Sequence, residues 1–231
     1  MNPQPLSPLS PPPLTLALET STPQGSVALL ERERLLFSES FQAGRGHGSR
    51  LFEVLDRALA LRPGFAAEGM TVAVGLGPGS YAGVRIAISA AIGLGIASGA
   101  ALVGIPSIAT LGGEEESFIA LGDARRESFY FAVVRGGVCA TGPELLPAAG
   151  LEEKLSALAA LPVYASEALP AAPRAQLRFP CAERLARLAL AGRSIVQRDR
   201  LEPIYLRDPH ITRPANKRVH FGPQRSKIGP V

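Results

Sequence analysis

The sequence predicts an α/β protein built as two related lobes, each a mixed sheet flanked by helices. Three observations lead there. LTLALET (14–20), GSVALL (25–30) and RLLFSESF (34–41) are three consecutive strand-like runs, and helical periodicity follows them. A similar order, strand, polar turn, hairpin and helix, returns from residue 116. Hydrophobic residues make up 46% of the 231, enough core for one large domain or two small lobes.

In the first half, STPQG turns the chain between the first two strands, and GRGHGS is a glycine-rich entry to a helix. That helix, HGSRLFEVLDRALAL, sets Leu51, Leu55, Ala58 and Leu59 on one face. TVAVGL (71–76) is a strand, Gly77-Pro78-Gly79-Ser80 a turn, and a helix runs from about residue 81 to 98. ALVGI adds a strand before Pro106. In the second half, ESFIALGDAR (116–125) is a strand ending at an Asp-containing turn. SFYFAVVRGGVCATGPELL is a hairpin across Gly136-Gly137. A helix near 151–160, the strand PVYA, the helix CAERLARLALAG (181–192) and LEPIYLRDP complete the order. Three strands followed by helical crossovers suggest a mixed sheet with helices on its faces; periodicity alone reaches two related α/β lobes, which side by side would form a duplicated ribonuclease-H-like architecture. The expected divisions are a proline-rich leader at 1–13, lobes at 14–113 and 114–208, and a basic tail at 209–231.

Composition removes several function classes. The net charge is +4, but residues 209–231 hold Arg213, Lys217, Arg218, Arg225 and Lys227 and no acid, leaving the body near −1 and not broadly basic. Cys139 and Cys181 stand far apart without a CxxC pattern, which argues against a zinc site or disulfide scaffold and fits a reducing, cytoplasmic setting. The leader has no basic n-region and too many prolines for a signal-peptide core. Ile86 to Gly113 is uncharged for 28 residues, but Gly99 and Pro106 interrupt it and no aromatic belt flanks it, so no membrane partner is expected. His47 is the only histidine before residue 210, so the body offers no His pair and no HExxH metal site. No GxSxG is present to pair with it, and no catalytic residue is assigned.

Three places carry the remaining chemical interest. Gly77, Gly79 and Ser80 precede a helix whose first amides lack intrahelical partners, an arrangement that attracts phosphate. A serine-capped strand-to-helix turn explains the same residues, since neither a P-loop nor GxGxxG is present. Glu19, Thr20 and Ser21 end the first strand, where a carboxylate and hydroxyls can face a metal-bound phosphate or form a local turn. Asp123 stands at the matching point of the second half, as a nucleotide contact or as a charged hairpin entry.

The helix at 81–98 raises the question of a partner. Val84, Ile88, Ile92 and Ile96 recur every fourth residue and are expected to face the sheet. Ile86, Ala90, Gly93 and Ala97 are then expected outward, as an uncharged face of small residues that another helix can approach. With Leu51 they make up the expected partner interface, unless the second lobe or the 47–60 helix covers that face.

These residues also resemble a family. LALETSTPQGSVALL, GRGHGSRLFEVLDRAL, VAVGLGPGSYAGVRIAISAAIGLGIASGAALVGIPSIATL and ALGDARRESFYFAVV are similar, in this order, to TsaB (YeaZ) proteins of tRNA threonylcarbamoyladenosine formation. The resemblance covers about residues 14–208 and centres on Gly-Pro-Gly-Ser-aromatic-x-Gly-x-Arg. It implies the two-lobed ASKHA fold of sugar kinases, actin and Hsp70. It implies a non-catalytic relative of the transferase TsaD, which places threonylcarbamoyl on adenosine 37 of ANN-decoding tRNAs. Implied partners are a TsaD-type transferase as heterodimer and a TsaE-type ATPase, with a homodimer when the protein is alone. TsaD carries a metal-binding His pair beyond its own Gly-Pro-Gly helix, and Val103 to Leu111 here contains no histidine. No cofactor is therefore required, while ATP or ADP binding stays open. Glu19 stands where the family more often has Asp, and its extra methylene is expected to push the carboxylate about 1.5 Å further into the cleft. The short second half implies a shallow cleft. Two other functions stay open: an active ASKHA-fold kinase or phosphotransferase using Glu19, Thr20 and Asp123 around Mg-ATP, and a glycoprotease, which the missing His pair disfavours. Direct RNA binding rests on the basic tail alone.

Overall fold

The computed structural model describes residues 13–42, 47–62, 69–113, 116–198 and 200–207. The expectations placed on residues 1–12, on 43–46 and on the tail 209–231 lie outside them.

The first half opens with β1 (Leu14–Glu19), β2 (Gln24–Glu31) and β3 (Arg34–Gln42), joined as antiparallel neighbours. Helix α1 (His47–Ala60) leads to β4 (Thr71–Gly75), which pairs parallel with β1. Helix α2 (Tyr81–Ser98) leads to β5 (Ala101–Ile105), parallel to β4, and a 3-10 turn over Ser107–Thr110. The second half repeats the scheme with β6 (Ser117–Asp123), β7 (Ser128–Arg135) and β8 (Val138–Pro147) as an antiparallel set. After a 3-10 turn over Ala148–Gly150 come α3 (Leu151–Ala157) and β9 (Val163–Ala165), parallel to β6. The two-residue β10 (Gln176–Leu177), α4 (Ala182–Leu190) and the two-residue β11 (Gln197–Arg198) close the order. Both sheets are mixed, with strand orders β11-β5-β4-β1-β2-β3 and β10-β9-β6-β7-β8.

Side-chain alternation assigns each face of the first sheet to a different helix layer. Leu16, Leu18, Val27, Leu29, Val72 and Val74 pack with Leu51, Val54 and Val84 beneath α1 and α2. On the other face Ala17, Ala28 and Ala73 meet Ala182, Leu185 and Ala186 of α4. Small residues on both sides let α4 lie close to the strands, and the Ala182 amide donates to Ser26 Oγ at 2.9 Å. Thus α4 and β11, although they follow the second set of strands in sequence, belong to the first sheet in space.

Helix α2 departs from its expected phase. Its buried residues are Gly83, Val84, Ala87, Ile88, Ala90 and Ala91, while Ile92 is 39% and Ile96 83% exposed. A step of four residues turns an α-helix about 400°, so a strict i+4 stripe drifts about 40° per step and leaves the core after two turns. Ala87 and Ala91 take the inward positions instead. Ala90, expected outward, is only 7% exposed. The uncharged run 86–113 is divided among the end of α2, β5 and the 3-10 turn, so it is no single span. Helix α2 alone has the length and apolarity to cross a membrane among the described residues; here it is packed on β4 and α1.

No strand forms over residues 201–207, the described part of LEPIYLRDP. Pro203 has no amide to donate, and the segment keeps one ladder-like bond, from the Ile204 amide to the Leu76 carbonyl at 2.8 Å.

Candidate functional site: the cleft between the two sheets

A cleft of about 460 Å³ opens where the ends of β1 and β4 face the β6–β7 hairpin. Ser21, Gly79 and Ser80 line one wall and Asp123 the other, so four of the expected site residues come together. Tyr130 and Glu167 from the second half, and Pro203 to Arg207 from the closing segment, complete the lining.

The glycine turn is shaped by close backbone packing. A Cβ on Gly79 would collide with the Ser21 carbonyl oxygen, and one on Gly83 with that of Thr20. Through these gaps Ser80 N donates to Ser21 O at 2.7 Å, and Thr20 Oγ1 donates to Gly83 O at 2.8 Å. Gly77, at φ 85°, takes the left-handed conformation that favours glycine, and its amide donates to Ser107 Oγ at 2.9 Å. Ser80 caps α2, accepting from Gly83 N at 3.2 Å. Three turn amides that could meet a phosphate, those of Gly77, Ser80 and Gly83, are thus bonded within the protein.

Glu19 does not reach into the cleft. It is fully buried, on the α4 face of the sheet, where Oε1 accepts from Ser21 N at 2.7 Å. Oε2 has no hydrogen-bond partner and lies over Gly75, beside Ser107. The longer side chain has folded back into the interior, because β-strand alternation places residue 19 on the same face as Ala17. Burial is the largest influence and raises its pKa; the bond from Ser21 N and the nearby Ser107 hydroxyl oppose it. Thr20 is also fully buried, and Gly77 lies behind the cleft wall. Ser21 is the exception among the three: it lines the cleft, and its buried Oγ has no partner.

Asp123 is occupied by its own turn. It accepts from Arg125 N at 2.7 Å and pairs with the Arg125 guanidinium at 3.0 Å, while its amide donates to Glu167 Oε1 at 3.0 Å. Arg125, Arg126 and Glu127 hold φ of 62°, 53° and 53°, a run of left-handed residues that tightens the hairpin against the cleft. Burial pushes the Tyr130 hydroxyl up to about 12, keeping it a neutral hydrogen-bonding group. At the cleft mouth the exposed rings of Tyr81 and Tyr205 lie 5.6 Å apart, and the Arg85 guanidinium sits 5.1 Å over the Tyr81 ring. Tyr130, Glu167, Tyr205 and Arg207 escaped sequence reasoning; the aromatic and arginine of IYLR were the available signal. Among the described residues no three His, Cys, Asp or Glu side chains gather as a metal-holding group.

Of the residues expected to meet a partner, Gly93 and Ala97 are exposed and Ile86 is half-buried. Leu51 is fully buried under the first sheet and Ala90 nearly so, because α1 and α2 turn these positions inward. The outward stripe of α2 instead runs through Tyr81, Arg85, Ser89, Ile92, Gly93 and Ile96.

Two lobes of β-β-β-α-β order meeting at a cleft define the duplicated ribonuclease-H-like, or ASKHA, class. The family model described as "TsaD: tRNA N6-adenosine threonylcarbamoyltransferase" matches residues 41–162. A Mycobacterium tuberculosis protein described as uncharacterized is 31% identical over 203 residues, 84% of this chain and 92% of its own. The tRNA threonylcarbamoyladenosine biosynthesis protein TsaB of Haemophilus influenzae is 33% identical over 126 residues, 52% of each chain. Among solved structures, YeaZ from Pseudomonas aeruginosa superposes with a TM-score of 0.61 at 26% identity, covering 84% of this chain and all of that one. The chain belongs to the TsaB (YeaZ) family of TsaD-related proteins.

Proposed function

We propose that this chain acts in tRNA modification as a non-catalytic subunit that stabilises a TsaD-type transferase. The observation that carries this reading is the outward face of α2. Ile92, Gly93, Ile96 and Ala97 form an exposed surface without charge on the helix that the Gly-Pro-Gly-Ser turn positions. Burying a side chain such as Ile96 is worth about 1.5–3 kcal/mol, and a partner helix is the simplest source of that burial. A Cβ on Gly93 would meet nothing within 4 Å, which leaves room for a close helix-on-helix approach. The cleft supports an accessory role as well, since its glycine turn is tied to Thr20, Ser21 and Ser107, and Glu19 points away from it. A TsaE-type ATPase joins such a pair in the same reading, with the cytoplasm as the compartment. The pair forms a heterodimer that competes with any homodimer of the free chain.

The test is co-purification with the TsaD-type transferase of the same organism. Gly93→Arg and Ile96→Arg abolish association while leaving the melting temperature of the free chain within about 2 °C, because both sites are exposed. Association by both folded variants overturns the α2 interface. Failure of the parent chain to associate at all overturns the accessory role.

A further inference from the structure

Charge along the chain is divided unevenly. The first 173 residues carry sixteen acids against eleven cations. Residues 174–200 carry seven arginines against only Glu183 and Asp199. This stretch includes α4, which covers the face of the first sheet opposite α1 and α2. Near the start of α4 a second groove of about 650 Å³ lies open between the Thr110–Leu111 turn, the segment at Arg178–Phe179, and α4 itself.

Three arginines, Arg178, Arg184 and Arg187, line that groove. The Arg178 guanidinium carbon sits over the Tyr164 ring, 4.6 Å from its centroid, a contact that does not use its N–H donors. Arg187 donates twice to Glu183 Oε1, at 3.2 and 2.8 Å. Glu116, beside Arg178 and Arg184, accepts from Gly113 N at 2.7 Å and from the Tyr164 hydroxyl at 3.3 Å. With Glu183 paired to Arg187 and Glu116 held in its charged form beside Arg178 and Arg184, three arginines face two carboxylates and the groove keeps one positive charge in surplus. Arg193 and Arg198 continue the exposed positive surface beyond α4.

We infer that this α4-side groove binds the phosphodiester backbone of RNA, with Arg178 and Arg184 as the phosphate ligands. The inference rests on the reading of the chain as a tRNA-modification subunit, and it places the RNA on the face of the sheet away from the α2 partner surface. An open groove with arginines strung along its rim suits a polymer of regularly spaced charges rather than a single enclosed anion. Contacts of this type fix position without reading sequence.

The test uses the full chain and an in vitro transcribed ANN-decoding tRNA, with affinity measured at several salt concentrations. Arg178→Gln/Arg184→Gln weakens binding about tenfold or more and lowers the slope of log affinity against log salt by about 1.5–2, the yield of two lost phosphate contacts. Arg34→Gln/Arg50→Gln removes the same charge from the α1–β3 side and leaves both quantities unchanged. Arg178→Lys/Arg184→Lys keeps the salt slope, which separates loss of charge from loss of structure. The groove is overturned if the parent chain binds tRNA without salt dependence or not at all, or if the two glutamine pairs behave alike. Partner association, measured without RNA, reports separately on the accessory role: a chain that pairs with the transferase but fails these RNA measurements loses only the groove.

Discussion

The Glu19 carboxyl occupies the space that a side chain at Gly75 would need. The two residues are neighbours on parallel strands β1 and β4, both directed to the α4 face, and a Cβ on Gly75 would collide with Glu19 Oε2. A carboxyl group fits inside the sheet sandwich here because the adjacent strand contributes no side chain.

Gly75→Ala therefore destabilises the chain by overpacking, by about 1–3 kcal/mol. Chemical denaturation measures it. Combining it with Glu19→Ala, which clears the space, costs less than the sum of the two single changes, whereas strict additivity would separate the two residues.

The pH dependence of stability reports on the same carboxyl. Burial holds the folded-state pKa of Glu19 above its ordinary value of 4.5, so the folded chain keeps a proton that the unfolded chain releases. Stability from this group is present below the unfolded pKa and is lost as pH rises through the folded one. Glu19→Gln keeps an oxygen to accept from Ser21 N and removes the titration. Its melting temperature exceeds that of the parent at pH 8, and the gap narrows toward pH 4.5. A gap independent of pH would mean that Glu19 titrates alike in both states.

The phase of α2 is checked by a pair of truncations. Ile88→Ala, at a core position, costs about 2–5 kcal/mol. Ile96→Ala, on the outward face, stays within about 0.5 kcal/mol in the free chain. Equal losses would restore the i+4 stripe as the buried one.

The purified chain, supplied with tRNA, threonine, bicarbonate and ATP, forms no threonylcarbamoyladenosine and turns over no ATP. Mass spectrometry of the digested tRNA and a phosphate-release assay measure the two. Modification without any partner would overturn the accessory role, and steady ATP turnover would favour the kinase reading.

Much of the fold was legible because its signals are local. The short apolar runs of LTLALE and SFIALGD, the Gly136-Gly137 hairpin and the serine cap of α2 each act within a few residues. The two-residue strands Gln176–Leu177 and Gln197–Arg198 were not legible, since so short a strand has no period and exists only through its neighbour. The site was legible in part. Ser21, Gly79, Ser80 and Asp123 sit at strand ends and turns, where their placement follows from topology. The direction of Glu19 depends on the empty space at Gly75, a contact between strands separated by more than fifty residues, and no spacing rule carries it. Ile92 and Ile96 were misplaced because a period of four and a period of 3.6 agree over two turns and diverge over four.

The bond from Ala182 to Ser26 joins positions 156 apart in the chain. During synthesis the ribosome releases five of the six strands of the first sheet long before it releases the helix that covers their alanine face. That face waits, wet and open, through the whole translation of the second strand set. A nascent chain stalled near residue 113 would expose Ala17, Ala28, Leu30 and Ala73 together, as a surface for chaperones to hold. The first half of this protein is thus the last to be finished.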